Sequence, residues 1–235
     1  MTDPSRPEEH VAVGKIDFGS LRRVVPISRV WGYDRGLPID RYYIERFLRG
    51  HSSDICGQVL EIGDNTYTRR FGGDRVTSSD VLNLYDTPGT TIMADLASAP
   101  HIPSDNFDCI IFTQTLQFIY DLHSAVATLH RILRPGGILL ATFPGITHTQ
   151  DDQWARHWSW SLSARSGERL FGEAFSPEAV HVEGFGNVLA AISFLHGVAT
   201  EELTPEELDF RHPGFDVTIA VRASKHRVTS ASREI

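Results

Sequence analysis

Three short apolar runs each stop on a group that can hold a ligand through hydrogen bonds. Gln58-Val59-Leu60-Glu61-Ile62 stops at Gly63, followed by Asp64 and Asn65. Arg75-Val76-Thr77-Ser78-Ser79 stops at Asp80, and Thr90-Thr91-Ile92-Met93-Ala94 stops at Asp95. Read as parallel strands of one sheet, they bring the Gly63 turn, Asp80 and Asp95 to one edge, the carboxyl ends, where nucleotide-like ligands bind. Asp80 lies 17 positions after Gly63, close to a strand–helix–strand offset.

The elements that position them follow from period and capping. Asp40 reads as the N-cap of a helix whose Tyr43, Ile44, Phe47 and Leu48 share one face. Phe107-Asp108-Cys109-Ile110-Ile111-Phe112 is a continuous apolar run, as in a strand buried on both faces. Asp121 caps a helix bearing Leu122, Ala125, Val126, Leu129, Ile132 and Leu133, stopped by Arg134-Pro135-Gly136-Gly137, and Ile138 to Phe143 is the fifth strand. Ser163 to Phe171 reads as a helix, Val180 to Gly184 as a strand, Asn187 to Leu195 as a buried helix, and Phe215 to Val221 as the closing strand.

The sequence predicts one α/β domain over 1–235: a Rossmann-like, doubly wound, seven-stranded, mostly parallel sheet with helices on both faces and an antiparallel hairpin at one end. Within it, 1–13 is a mobile start, 14–50 a lid segment, 144–163 a substrate-side insertion and 224–235 a frayed tail.

Composition narrows the function. The chain has 235 residues, 41% hydrophobic and 22% charged, as in a soluble globular protein. Its net charge of −8 argues against a nucleic-acid surface, which needs a basic face. No apolar run is long enough to span a membrane, and Met1 to His10 lacks a signal-peptide core. Cys56 and Cys109 read as reduced thiols of a cytoplasmic protein, and no zinc spacing is present.

Val59-Leu60-Glu61-Ile62-Gly63, Ala94-Asp95-Leu96 and Leu129-His130-Arg131-Ile132-Leu133-Arg134-Pro135-Gly136-Gly137, in this order and spacing, resemble the class I S-adenosylmethionine-dependent methyltransferases of the small-molecule, type 11-like branch. The resemblance implies S-adenosyl-L-methionine as cofactor and S-adenosyl-L-homocysteine as product. It assigns Glu61, Gly63, Asp64 and Asn65 to the first motif, Asp80 with Val81 to the ribose, Asp95 with Leu96 to the adenine, and Thr113 with Gln114 to the methionine side. One feature departs from the family: its Gly-x-Gly-x-Gly is replaced by Gly63-Asp64-Asn65-Thr66-Tyr67, where Asn65 can adopt the left-handed conformation a glycine would supply.

Methyl transfer needs an aligned nucleophile, a dry site and, for an alcohol or phenol, a proton acceptor. A histidine near its ordinary pKa suits that task, and His148, His157 and His123 all fall close to the ligand edge, with Asp151 or Asp152 available to orient one. Trp154, Trp158 and Trp160 form either an aromatic wall for the acceptor or the packing face of a cap helix. Tyr33, Arg35 and Tyr43 sit in the lid, where Arg35 meets a substrate anion or closes a structural salt bridge. Arg69 and Arg70 follow the first turn as an anion site or as a solvated helix face.

The expected function is methyl transfer to an O or N atom of a small, secondary-metabolite or sugar-like acceptor, by a monomer or homodimer needing no nucleic acid, membrane or metal. The altered glycine motif keeps two alternatives open: a methyltransferase-fold enzyme catalysing cyclisation, elimination or isomerisation, and a non-catalytic partner subunit.

Overall fold

The computed structural model describes residues 11–149 and 155–227. Seven strands form one sheet: β1 Gly57–Ile62, β2 Val76–Asn83, β3 Ile92–Met93, β4 Phe107–Thr113, β5 Leu133–Pro144, β6 Val180–Phe185 and β7 Thr218–Ser224, in the order β3-β2-β1-β4-β5-β7-β6. β1 to β5 pair in parallel, and β7 runs antiparallel to both β5 and β6. This is the expected doubly wound sheet with its antiparallel end.

Alternation along β1 divides the core in two. Leu60 joins a cluster beneath α2 (Leu122–Ile132) and α3 (Ala164–Phe175), while Val59 joins a second one beneath α1 (Ile39–Gly50) and α4 (Val188–His196). Cys109, Ile110, Ile111 and Phe112 of β4 are all fully buried, as a strand covered on both faces requires.

Capping is as expected for α2, where the Asp121 side chain accepts from the Ser124 amide, and α4 opens the same way on Asn187. For α1 the expectation is corrected. Pro38 is the N-cap, and Asp40 lies inside the first turn of the helix. The connection from β1 to β2 carries a π-type turn at Thr68–Gly72 followed by a 3-10 turn at Gly73–Arg75.

The end of β2 is also corrected. It runs on to Asn83, so Asp80 sits within the strand, in register with Leu60. Its carboxylate accepts from Thr91 Oγ1 at 2.9 Å and from Gln58 Nε2 at 3.5 Å. Three residues of strand, about 10 Å, separate it from the carboxyl edge.

Candidate cofactor and acceptor site

The site begins with a buried acid. Glu61, 2% exposed, accepts hydrogen bonds from the Tyr67 amide (3.2 Å), the Thr68 amide (2.7 Å) and Thr68 Oγ1 (2.7 Å). These bonds fold the segment after Gly63 back over the end of β1. Burial pushes the Glu61 carboxyl up to about 7, against the opposing pull of the bonds from Thr68.

Gly63 has φ +95°, a conformation that favours glycine, and a side chain placed there would enter open space. Its amide donates to Leu82 O at 3.1 Å. Asp64 Oδ1 accepts from the Thr66 amide at 2.7 Å, and Asn65 Nδ2 reaches Ser79 Oγ at 3.3 Å. The turn therefore closes without the second and third glycines, held by Asx geometry and by the neighbouring strand.

Two further tips stand beside it. At the end of β2, Asn83 Nδ2 donates to Gly63 O at 3.0 Å and to Thr90 Oγ1 at 2.9 Å. Past β3, Asp95 is exposed and accepts from the Ala97 amide, while Leu96 is buried in the core. Val81 is buried beside Asp80, short of the edge. On the other side of β1, Thr113 ends β4 and Gln114 follows with φ +47°. The Gln114 amide donates to Thr142 O, and its Nε2 is buried with no hydrogen-bond partner among the described residues. An open backbone cradle, polar groups at three strand tips and an orphaned amide donor fit a cofactor with an amino-acid end and a nucleoside end.

The lid packs on the neighbouring segments. Trp31 stacks on His148, which follows β5, with ring centroids 4.9 Å apart and planes 11° apart. Arg41 donates through Nε to Tyr33 Oη (2.7 Å) and through Nη1 to Tyr67 Oη (3.4 Å). The lid thus touches two stretches distant in sequence, the turn after Gly63 through Arg41 and Tyr67 and the exit of β5 through Trp31 and His148. Trp31, Asp40, Arg41, Tyr67 and Asn83 are absent from the sequence-based site. The one available signal is an Asp-Arg pair opening an otherwise amphipathic helix.

Other expected site residues lie elsewhere. Arg35 pairs with Glu202 at 2.5 Å, the structural salt bridge of its two readings. Tyr43 is a correction: it is 1% exposed, in the core, and its hydroxyl donates to Leu208 O at 3.0 Å. His123 is exposed and lies 3.2 Å from Glu173, and His157 is exposed on a short 3-10 turn. Trp158 packs edge-on against Phe118 and donates to Trp160 O, so it covers the exit of β4. Trp154, Asp151 and Asp152 lie outside the described residues. Among the described residues no group of three or more His, Cys, Asp or Glu could hold a metal, and no helix is long and apolar enough to cross a membrane.

Residues 56–141 match the family described as "Methyltransferase domain". Over 129 residues the chain is 32% identical to a malonyl-[acyl-carrier protein] O-methyltransferase of Serratia marcescens, covering 48% of this chain and 49% of that protein. Over 129 residues it is 26% identical to the mitochondrial arginine-hydroxylase NDUFAF5 of Rattus norvegicus, covering 55% of this chain and 35% of that protein. The chain thus spans about half or less of the length of these curated relatives. A SAM-dependent methyltransferase from Archaeoglobus fulgidus superposes with a TM-score of 0.54 at 12% identity, covering 79% of this chain and 94% of that one. Residues 56–141 are therefore similar to the methyltransferase-domain family, and the seven-stranded sheet has the fold of that solved methyltransferase.

Proposed function

We propose that this chain transfers a methyl group from S-adenosylmethionine to an O or N atom of a small molecule. The observation that carries the reading is the Gly63 turn, left open at φ +95° and locked from beneath by Glu61. Gly63, Asp64 and Asn65 hold the amino-acid end of the cofactor, Asp95 and Leu96 border the adenine, and Thr113 and Gln114 line the methionine side. The ribose contact moves from Asp80 and Val81 to Asn83, whose Nδ2 is committed to Gly63 O and Thr90 Oγ1, leaving its amide oxygen for a hydroxyl. When bound, the cofactor supplies an activated methyl group, and the protein's part is to align the acceptor, exclude water and take up a proton. Trp31 and His148 wall the acceptor side, and their stacking supports His148 over His123 and His157 as the candidate histidine.

Calorimetric titration with S-adenosylmethionine and S-adenosylhomocysteine tests the reading, and absence of binding to both sinks it. Asn83→Ala is expected to weaken S-adenosylhomocysteine about tenfold, the scale of one hydrogen bond at about 1.4 kcal/mol. Asp80→Ala is expected to leave that affinity within twofold. The reverse pattern restores Asp80 to the site.

A second reading keeps the cofactor but not the transfer. The missing glycines motivate it, as does similarity to a relative named as a hydroxylase. Binding of S-adenosylmethionine with no label passing from its methyl group to any small-molecule fraction favours that reading.

A further inference from the structure

The stretch 11–30 exposes apolar side chains that the core does not use. Val13 and Val24 are fully exposed, and Ile16, Phe18, Val25 and Val30 are about half exposed. Single exposed apolar residues are ordinary on a protein surface, but a run of them in one short stretch marks a contact site. The charges there are one-sided as well. Lys15, Arg22, Arg23 and Arg29 stand against Asp17 alone, a net +3 over 11–30 in a chain whose net charge is −8. All four cations are exposed, and none forms an ion pair with a described residue. The Arg22 guanidinium instead lies 5.2 Å from the centroid of the Phe18 ring.

This stretch is tied to a second exposed apolar element. The Ile27 and Ser28 amides donate to His196 O at 2.8 and 3.0 Å, at the end of α4. α4 is apolar on both sides. Ala190, Ala191 and Phe194 face the core, while Val188, Leu189, Ile192 and Leu195, on the other side of the helix, are exposed.

We propose that residues 11–30, together with the outward side of α4, dock this chain on the surface of an anionic lipid bilayer. The proposal is independent of the methyltransferase reading, and it departs from the expectation of a chain without membrane contact. Charge decides between a bilayer and a second copy of the chain. On a twofold interface a patch meets itself, so the four cations would face four more. An anionic bilayer accepts both kinds of side chain at once. Valine and phenylalanine enter the interfacial layer, while the arginine and lysine heads stay among the lipid phosphates. Such docking needs no helix long enough to cross the membrane.

Co-sedimentation with vesicles tests this without any methyl acceptor. The wild type is expected to pellet with vesicles of about one-third phosphatidylglycerol in phosphatidylcholine, and about tenfold more weakly with phosphatidylcholine alone. Arg22→Gln with Arg23→Gln is expected to lose about tenfold on the anionic vesicles, and raising salt from about 0.05 to about 0.5 M should do the same to the wild type. Val24→Ser with Val25→Ser keeps the charge and is expected to lose about fivefold. All four positions are exposed, so both variants should melt with the wild type when followed by circular dichroism. No binding to the anionic vesicles, equal binding to both kinds, or folded variants that bind like the wild type overturns the proposal. A lipid-free dimer in light scattering that Val24→Ser with Val25→Ser dissociates also overturns it, and gives the surface to a second copy.

Discussion

Glu61→Ala is expected to cost about 3 kcal/mol of stability and to abolish binding of S-adenosylhomocysteine. The truncation orphans two backbone amides and one hydroxyl that all point at this carboxylate. Each buried donor left unpaired costs about 1–3 kcal/mol, reduced where water can enter the space vacated. The same amides fold the turn after Gly63, so stability and the cofactor cradle fail together. Urea unfolding at pH 7 and a calorimetric titration check the two halves, and a folded variant with wild-type affinity would remove Glu61 from the site.

The conservative Glu61→Gln isolates the charge. Burial raises the folded pKa to about 7 from an ordinary value near 4.5, so the folded state binds the proton more tightly than the unfolded chain does. The stability this provides is fully present below about pH 4.5 and is lost as pH rises through about 7. Its full size is roughly 3 kcal/mol at 1.36 kcal/mol per unit of pKa. Between pH 5 and 8 the wild type is therefore expected to lose about 2 kcal/mol more than Glu61→Gln. Parallel curves for the two proteins would show that the carboxyl titrates normally.

Local pattern carried the fold and only part of the site. β4 and β5 are readable because a strand buried on both faces needs unbroken apolar sequence, and Phe107 to Phe112 and Ile138 to Phe143 supply it. β2 misleads because Asp80 looks like a terminator. A carboxylate inside a strand is tolerated there because Thr91, just before β3, and Gln58 of β1 satisfy it. The signal against stopping at Asp80 was Val81-Leu82, an apolar pair that still needs a core. Arg35 finds Glu202 at 167 positions' distance, which no local window contains. Tyr43 was legible: its helical face with Ile44, Phe47 and Leu48 already assigned it to the interior, and that periodicity outranks its place in the lid. The site's polar centre, Arg41 between Tyr33 and Tyr67, exists only after α1 docks on the turn beyond β1.

Phe143→Ala is expected to cost about 4 kcal/mol, the scale of removing a fully buried aromatic ring. Phe143 lies in β5, fully buried, with its ring parallel to Phe171 of α3 at 6.5 Å between centroids. α3 can approach so closely because Gly167 faces the ring, where an added Cβ would stand 2.8 Å from Phe143 Cζ. The glycine is thus a notch cut to the ring. Gly167→Ala alone should be overpacked by about 1–3 kcal/mol. Placed on Phe143→Leu, whose side chain is shorter, the same alanine should cost less, giving a favourable coupling of about 1 kcal/mol in a double-mutant cycle. Additive costs would mean that α3 is seated by other contacts. Gly63 directly follows β1, and β4 lies between β1 and β5, so variants that remain folded should keep their affinity for S-adenosylhomocysteine. What should loosen is the exit of β5, five residues from Phe143 to His148, and with it the Trp31 stack that walls the acceptor side.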